Sequence, residues 1–165
     1  MLSDVLGYLH LILGLGASLY FLWRNEVLDV FYILYFIGMN ISWVLCKNEC
    51  IVSYIFKRMK DPNYKMGENI KVDDYDYILG HTGSNIYTHY LLIMYVINLI
   101  IVISLGDVDI LTKKLLLLGI FSNLVYLFSL RTDLLSQTKD IIKYSHLGLN
   151  LGILVAVVNT YFPSK

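Results

Sequence analysis

Long stretches without charged side chains constrain the fold of this chain more than any other feature. Between Val5 and Trp23 the sequence reads VLGYLHLILGLGASLYFLW and contains no Asp, Glu, Lys or Arg. A helix needs roughly 20 apolar residues to cross a hydrocarbon core about 30 Å thick. Soluble domains usually carry about 25% charged residues, whereas this chain carries 16%. The sequence therefore predicts an all-α, polytopic transmembrane helix bundle in a single membrane domain.

The hydrophobic pattern divides the chain into about five predicted spans, which flank one large polar loop. The spans are residues 5–23, 27–46, 87–105, 114–130 and 142–162, and the polar loop is residues 47–86. This loop and the connection at residues 131–143 hold nine of the 13 Lys and Arg residues. Since basic residues favour the cytoplasmic side, we expect the N-terminus and the loop in the cytoplasm and the C-terminus outside.

Small residues follow one face of the first predicted span. His10, Gly14 and Ser18 are spaced four positions apart, so they lie on one side of a helix. Small side chains on one face let a neighbouring backbone approach closely in a membrane. We expect this face to pack inward.

The polar loop combines basic, acidic and turn-forming segments. Lys57, Arg58 and Lys60 lie in an apolar, aromatic context before Pro62, which predicts a short interfacial helix or a helical extension into water. The acidic cluster at residues 73–76 lacks the spacing of a calcium loop, so we interpret it as solvated charge. We expect the loop to contact a partner protein, with Tyr64, Asp74 and Tyr75 as the residues to test.

One part of the chain resembles a known group of proteins. The residues that carry the resemblance lie between positions 40 and 67: Asn40, Trp43, the run KNECI at 47–51, Ser53, Tyr54, Lys57, the run DPNY at 61–64, and Gly67. They resemble small multi-pass membrane proteins encoded by large nucleocytoplasmic DNA viruses. The resemblance covers about a sixth of the chain and implies a viral or protist membrane setting. It assigns no catalytic residue.

Polar side chains inside the predicted spans are the main candidates for function. They are His10, Asn40, His89, Asn98, Asn123, His146 and Asn150. Intramembrane polar residues often form interhelical contacts, at about 0.6 kcal/mol each. They can also line a solute path or relay protons. We interpret them as interhelical contacts and keep the solute path as the alternative.

Cys46, Cys50 and His81 lie close to the predicted membrane surface and could contribute to a metal site. Zinc takes nitrogen and sulfur ligands, and paired histidines could instead bind haem. Cysteine also packs as a small apolar residue, so we expect no cofactor and keep metal or haem as an alternative. The Cys-x3-Cys spacing is not that of a redox helix, and no hydrolase elbow, zincin or phosphate-loop motif is present. The sequence thus favours a protein that is not an enzyme.

Three functions remain open from the sequence. The leading hypothesis is an integral membrane protein with an interaction or assembly role, whose partners are the lipid bilayer and either another protein or further copies of itself. The second is a small transporter or channel subunit, and the third is a membrane-embedded metal or haem protein. The formal net charge of +0 argues against nucleic acid as a partner.

Overall fold

In a computed structural model of the chain, which describes residues 2–132 and 136–162, all regular structure is helical. Seven α-helices and one short 3₁₀ turn follow one another within these ranges: α1 (Leu2–Ser18), α2 (Tyr20–Trp23), α3 (Glu26–Leu45), α4 (Ile51–Lys60), α5 (Asp73–Leu105), α6 (Ile110–Arg131), the turn Ser136–Thr138, and α7 (Lys139–Tyr161). The predicted connection at 131–143 includes residues 133–135, which lie outside the described residues.

Four of the described helices, α3, α5, α6 and α7, are long and apolar enough to cross a membrane. They correspond to the second to fifth predicted spans, although α5 and α6 begin earlier than hydropathy indicates. The helix α6 begins early because Asp109 caps it, accepting hydrogen bonds from the backbone of Leu111 and Thr112. Such a cap satisfies N–H groups that the first turn leaves without partners.

The first predicted span differs from the other four. Instead of one helix over residues 5–23, it forms the 17-residue α1 and the four-residue α2, with a turn at Leu19 between them. Each piece is shorter than the roughly 20 residues that a membrane crossing requires. The structure therefore gives four candidate spans where the sequence predicts five.

The predicted polar loop at residues 47–86 is largely helical. It contains α4 and the first turns of α5, which start at Asp73, fourteen positions before the predicted third span at Tyr87. Three aspartates in the first turn of α5 complement the positive end of the helix dipole. The helix bends at Gly80, whose φ of 69° is accessible mainly to glycine. Residues 47–50 form a turn before α4, and residues 61–72 form a longer connection without a helix.

The chain divides into two compact units, each assembled from two separate segments. Unit 1 comprises residues 1–23 and 42–98, and unit 2 comprises residues 24–41 and 99–165. In unit 1, α1 packs against α4, and in unit 2, α6 packs along α7. The turn that precedes α6 is held in unit 2 by Asp29, which also pairs with Arg24 at 2.6 Å. A Cβ on Gly106 in this turn would lie 2.9 Å from the Asp29 carboxylate, so only glycine fits.

Candidate catalytic site

Residues from three elements of unit 1 place a thiol next to an imidazole, and the imidazole next to a carboxylate. Cys50 Sγ lies 3.5 Å from His10 Nε2. The other ring nitrogen, His10 Nδ1, lies 2.6 Å from Asp74 Oδ2. The three residues come from the turn before α4, from α1 and from the first turn of α5. This order of groups is that of a Cys-His-Asp catalytic triad.

Cys50 occupies the N-cap position of α4, where the helix dipole favours a negative charge. Burial on its own would raise the pKa of the thiol. Its contact with His10 and the backbone N–H groups of Ser53 and Val52 outweigh burial, and the pKa of Cys50 lies below the ordinary thiol value. Cys46, also half-buried, shows the opposite shift, since burial and the nearby Cys50 and Glu49 raise its pKa. The two cysteines of one chain thus differ in their readiness to ionise.

Asp74 fixes the orientation of the imidazole. Its side chain is fully buried, whereas that of His10 is 15% exposed. The second carboxylate oxygen, Oδ1, has no hydrogen-bond partner among the described residues. A buried carboxylate requires a nearby positive charge or donor, and His10 supplies it. Burial on its own would lower the pKa of His10, but its contacts with Asp74 and Cys50 outweigh burial and raise the pKa to about 9. His10 can therefore hold the proton that the Cys50 thiol releases.

The small-residue face of α1 makes room for this arrangement. Gly7, Gly14 and Ser18 are buried, which confirms that this face packs inward. A Cβ on Gly14 would lie 3.0 Å from the Tyr87 hydroxyl and 3.2 Å from the Tyr75 hydroxyl. The Tyr75 ring in turn lies against His10, with 4.7 Å between ring centroids. The tyrosine side chains of α5 thus fill the space beside Gly14 and hold the imidazole in place.

Further hydrogen bonds link residues of α1 and α2 to residues of α5. Ser18 Oγ donates to the Tyr90 hydroxyl over 3.1 Å. Asn98 Nδ2 donates to the Ser18 carbonyl over 2.9 Å, and Asn98 Oδ1 accepts from Phe21 N over 3.2 Å. Asn98 thereby satisfies backbone groups at the break between α1 and α2, which the loss of regular helix leaves without partners.

A buried polar network anchors the turn that carries Cys50. Glu49 is fully buried and accepts hydrogen bonds of 2.8 Å from Lys57 Nζ, the Tyr64 hydroxyl and Gly67 N. Lys57 Nζ also donates to the Lys71 carbonyl over 2.7 Å. Each charged group has several partners, as burial of an ion pair requires. The network ties the connection at residues 61–72 to α4 and so fixes the start of that helix.

The titration of Lys57 and Tyr64 reflects this network. Burial lowers the pKa of Lys57, but its hydrogen bond to Glu49 and the charges of Asp73 and Glu49 outweigh burial, so the pKa is raised. Burial and the Glu49 carboxylate raise the pKa of Tyr64. Lys57 is therefore a charged internal anchor. Of the three predicted interfacial cations, only Arg58 and Lys60 are exposed.

The residues that we expect to contact a partner protein are mostly interior. Asp74 and Tyr75 are buried, and Tyr64 is half-buried inside the Glu49 network. Substitutions at these positions would disturb the fold of unit 1, so they do not report on a partner specifically. The interaction or assembly role stays a prediction.

The four asparagines of the predicted spans are all buried: Asn40, Asn98, Asn123 and Asn150. Asn40 Nδ2 donates to the Phe36 carbonyl over 3.0 Å, and Asn150 Nδ2 donates to the His146 carbonyl over 2.8 Å. The amide oxygens of Asn123 and Asn150 have no partner among the described residues. Whether these groups line a solute path stays a prediction.

The remaining histidines have partners other than cysteine. His146 Nδ1 lies 2.9 Å from Ser122 Oγ in unit 2. His81 is exposed beside Asp76, and His89 Nδ1 lies 2.7 Å from the Asn85 carbonyl. Among the described residues, no group of three His, Cys, Asp or Glu side chains is arranged to hold a metal ion. The set that we considered for metal binding, Cys46, Cys50 and His81, is not brought together as a ligand group there.

Sequence reasoning identified His10 as an intramembrane polar candidate and Cys50 as a possible metal ligand, so it did not assign them to one site. It treated Asp74 as one member of a solvated acidic cluster. The sequence does contain one signal for Asp74: it is followed directly by Tyr75, at the start of a helix whose later residues are apolar. Cys50, followed by the basic amphipathic segment of α4, is the matching signal for a thiol at a helix N-terminus.

No family model matches the chain, and neither a curated protein nor a solved structure matches it at a significant level.

Proposed function

We propose that this chain is a membrane-associated enzyme that transfers acyl groups through a thioester on Cys50. The observation that carries the proposal is the line from Cys50 Sγ to His10 Nε2 and from His10 Nδ1 to Asp74 Oδ2, at 3.5 Å and 2.6 Å. Nucleophile and base within or near hydrogen-bond reach, with the base oriented by a third group, is the pattern of covalent catalysis by a thiol.

The first half of the reaction is acylation of Cys50. His10 Nε2 takes the thiol proton, and the thiolate sulfur attacks the carbonyl carbon of the acyl donor. When the tetrahedral intermediate breaks down, the bond to the leaving group breaks and His10 returns the proton to that group. The acyl group is left on Cys50 as a thioester, and no electrons are gained or lost.

The second half releases the acyl group. His10 Nε2 removes a proton from water or from an acceptor hydroxyl or amine, whose oxygen or nitrogen attacks the thioester carbonyl. The carbon–sulfur bond breaks and the proton returns to the Cys50 sulfur. Asp74 holds the imidazole through Nδ1 and stabilises the imidazolium that forms in both halves.

The direct test is acylation by a short, water-soluble thioester. Purified chain in detergent is mixed with N-acetylcysteamine acetate thioester, and the adduct is located by peptide mass spectrometry. We expect a hydroxylamine-labile acetyl group on Cys50, which is lost in Cys50→Ala and retained in Cys46→Ala. An adduct that forms equally on both cysteines, or no adduct on a folded protein, would contradict the proposal.

A further inference from the structure

We infer that the acyl donor is a glycerophospholipid of the bilayer, whose fatty acyl ester is presented to Cys50 at the membrane surface. The inference rests on the proposed function and names the substrate class of the same site. It draws on three features: the short separation in sequence between a candidate span and Cys50, the exposed apolar side chains of α1 and α4, and the exposed cations in and before α4.

Cys50 is close in sequence to a candidate membrane span. It follows the last residue of α3 by five positions. The intervening residues form a turn in which Lys47 and Asn48 have positive φ values. A thiol in this position is close to the boundary between hydrocarbon and headgroups, where the esters of glycerophospholipids lie.

Exposed apolar side chains lie on both elements that carry the thiol and the imidazole. Leu9 and Leu13 of α1, one and three positions from His10, are 51% and 67% exposed. Ile51 and Ile55 share a face of α4 and are 38% and 43% exposed. Burial of each methylene of an acyl chain against such side chains is worth about 0.8 kcal/mol. These residues suit the alkyl chain of a lipid and not a polar donor.

Positive charge on α4 suits the phosphate of the headgroup. Arg58 of α4 is exposed, as is Lys47 in the turn before α4. Arg58 Nη1 donates to the Tyr64 carbonyl, which holds the side chain beside the connection at residues 61–72. Lys60 Nζ lies 3.2 Å from the centroid of the Tyr77 ring. Basic residues next to apolar ones on a short helix are typical of segments that lie in the membrane interface. A glycerophospholipid carries both a phosphate for the basic side chains and an acyl chain for the apolar ones.

The test uses the full chain in vesicles of phosphatidylglycerol or phosphatidylcholine with an alkyne-labelled acyl chain. We expect labelled acyl groups on Cys50 together with release of lysophospholipid, and faster acylation from phosphatidylglycerol. Arg58→Gln should reduce the preference for the anionic lipid, whereas Lys143→Gln in α7 should leave it unchanged. Leu13→Gln should slow acylation from vesicles by roughly tenfold without slowing acylation by the acetyl thioester.

The possible outcomes separate this inference from the proposed function. Acetylation of Cys50 by the soluble thioester without any acylation from vesicles would overturn the lipid donor and retain the thiol mechanism. Acylation by palmitoyl coenzyme A but not by either phospholipid would likewise overturn it in favour of a thioester donor. If Cys50 takes an acyl group from none of these donors while the protein remains folded, both proposals fail.

Discussion

His10 and His146 occupy similar local settings in different units, yet only one of them lies between a thiol and a carboxylate. Each lies on a helix, and each has a short polar side chain, Cys50 or Ser122, near one ring nitrogen. The two histidines differ in the charge of the other group beside the ring. His10 has the carboxylate of Asp74 on its second nitrogen, whereas the partners of His146 are Ser122 and the neutral amide of Asn150.

Burial reinforces this difference. His146 is fully buried and stacks on Tyr126, with 4.7 Å between ring centroids and 15° between ring planes. The hydrogen-bonding side chains beside it, Ser122 and Asn150, are both uncharged. His10 is partly exposed and faces a buried negative charge, so a proton taken from Cys50 is stabilised there. The comparison indicates what distinguishes the candidate site. A histidine near a nucleophile is present in both units, but only His10 also has a buried carboxylate beside it and a partly exposed ring.

Replacing each histidine with glutamine should break the comparison most clearly. His10→Gln retains an amide that can donate to Asp74 but has no base for the Cys50 proton. We expect acylation of Cys50 by a thioester to slow by about 10³- to 10⁴-fold. His146→Gln should leave that rate unchanged, and equal losses in both variants would show that the effect comes from folding.

The next largest effect should come from the carboxylate. Asp74→Asn preserves the shape of the side chain but removes the charge that stabilises the imidazolium. The carboxylate of a triad contributes less than the nucleophile or base, so we expect acylation to slow by about 10²-fold, the lower end of the range for positioned acid–base groups. Thermal unfolding of the same sample would establish that the variant is folded, and an unchanged rate would remove Asp74 from the mechanism.

Two glycines can sharpen the comparison without altering any reacting group. Gly14→Leu would push on Tyr75 and Tyr87 and thereby shift His10, whereas Gly148 of α7 has open space around it. Displacements of about 1 Å can cost about 10²-fold in rate, and we expect a loss of about tenfold or more for Gly14→Leu. Gly148→Leu should react like the unmodified chain. Similar rates for the two variants would mean that close packing on Gly14 does not position the imidazole.

The smallest effect should appear in unit 2. Asn150→Ala removes a hydrogen bond to the His146 carbonyl and an amide oxygen that has no described partner. We expect a loss of stability of about 0.6 kcal/mol in detergent and no change in the acylation of Cys50. A slowed acylation reaction with unchanged stability would indicate that the group formed by Ser122, His146 and Asn150 takes part in the chemistry.

Much of the helical framework follows from the sequence alone. Charge-free runs predict α3, α5, α6 and α7 because a membrane requires long apolar helices. One asparagine in each predicted span from the second to the fifth indicates burial, because an amide that faces lipid would lack partners, and all four are buried. The spacing of His10, Gly14 and Ser18 likewise predicts which face of α1 packs inward. These features depend on local periodicity, which can be read directly.

The catalytic arrangement could not be derived in this way. Cys50 and Asp74 are 40 and 64 positions from His10, and hydropathy gives no order in which helices pack. The sequence predicts the short helix before Pro62, but it does not predict that α5 begins at Asp73 or that Lys57 is buried. Lys57 looks like a solvated cation until Glu49 and Tyr64 are seen around it. Internal pairing of charged residues is a tertiary feature that overrides the local polar pattern.

The most direct test of the central claim compares the alkylation of the two cysteines as a function of pH. Iodoacetamide reacts with the thiolate, so the lowered pKa of Cys50 and the raised pKa of Cys46 separate their rates. Measured in Cys46→Ala and Cys50→Ala backgrounds, Cys50 should react faster at neutral pH, by roughly threefold for each unit that separates the two pKa values, since a tenfold larger thiolate fraction is partly offset by lower nucleophilicity. Its rate should reach a plateau at lower pH than that of Cys46, and His10→Gln should abolish the advantage. If Cys50 reacts no faster than Cys46, or if His10→Gln leaves its rate unchanged, the account of the triad is contradicted.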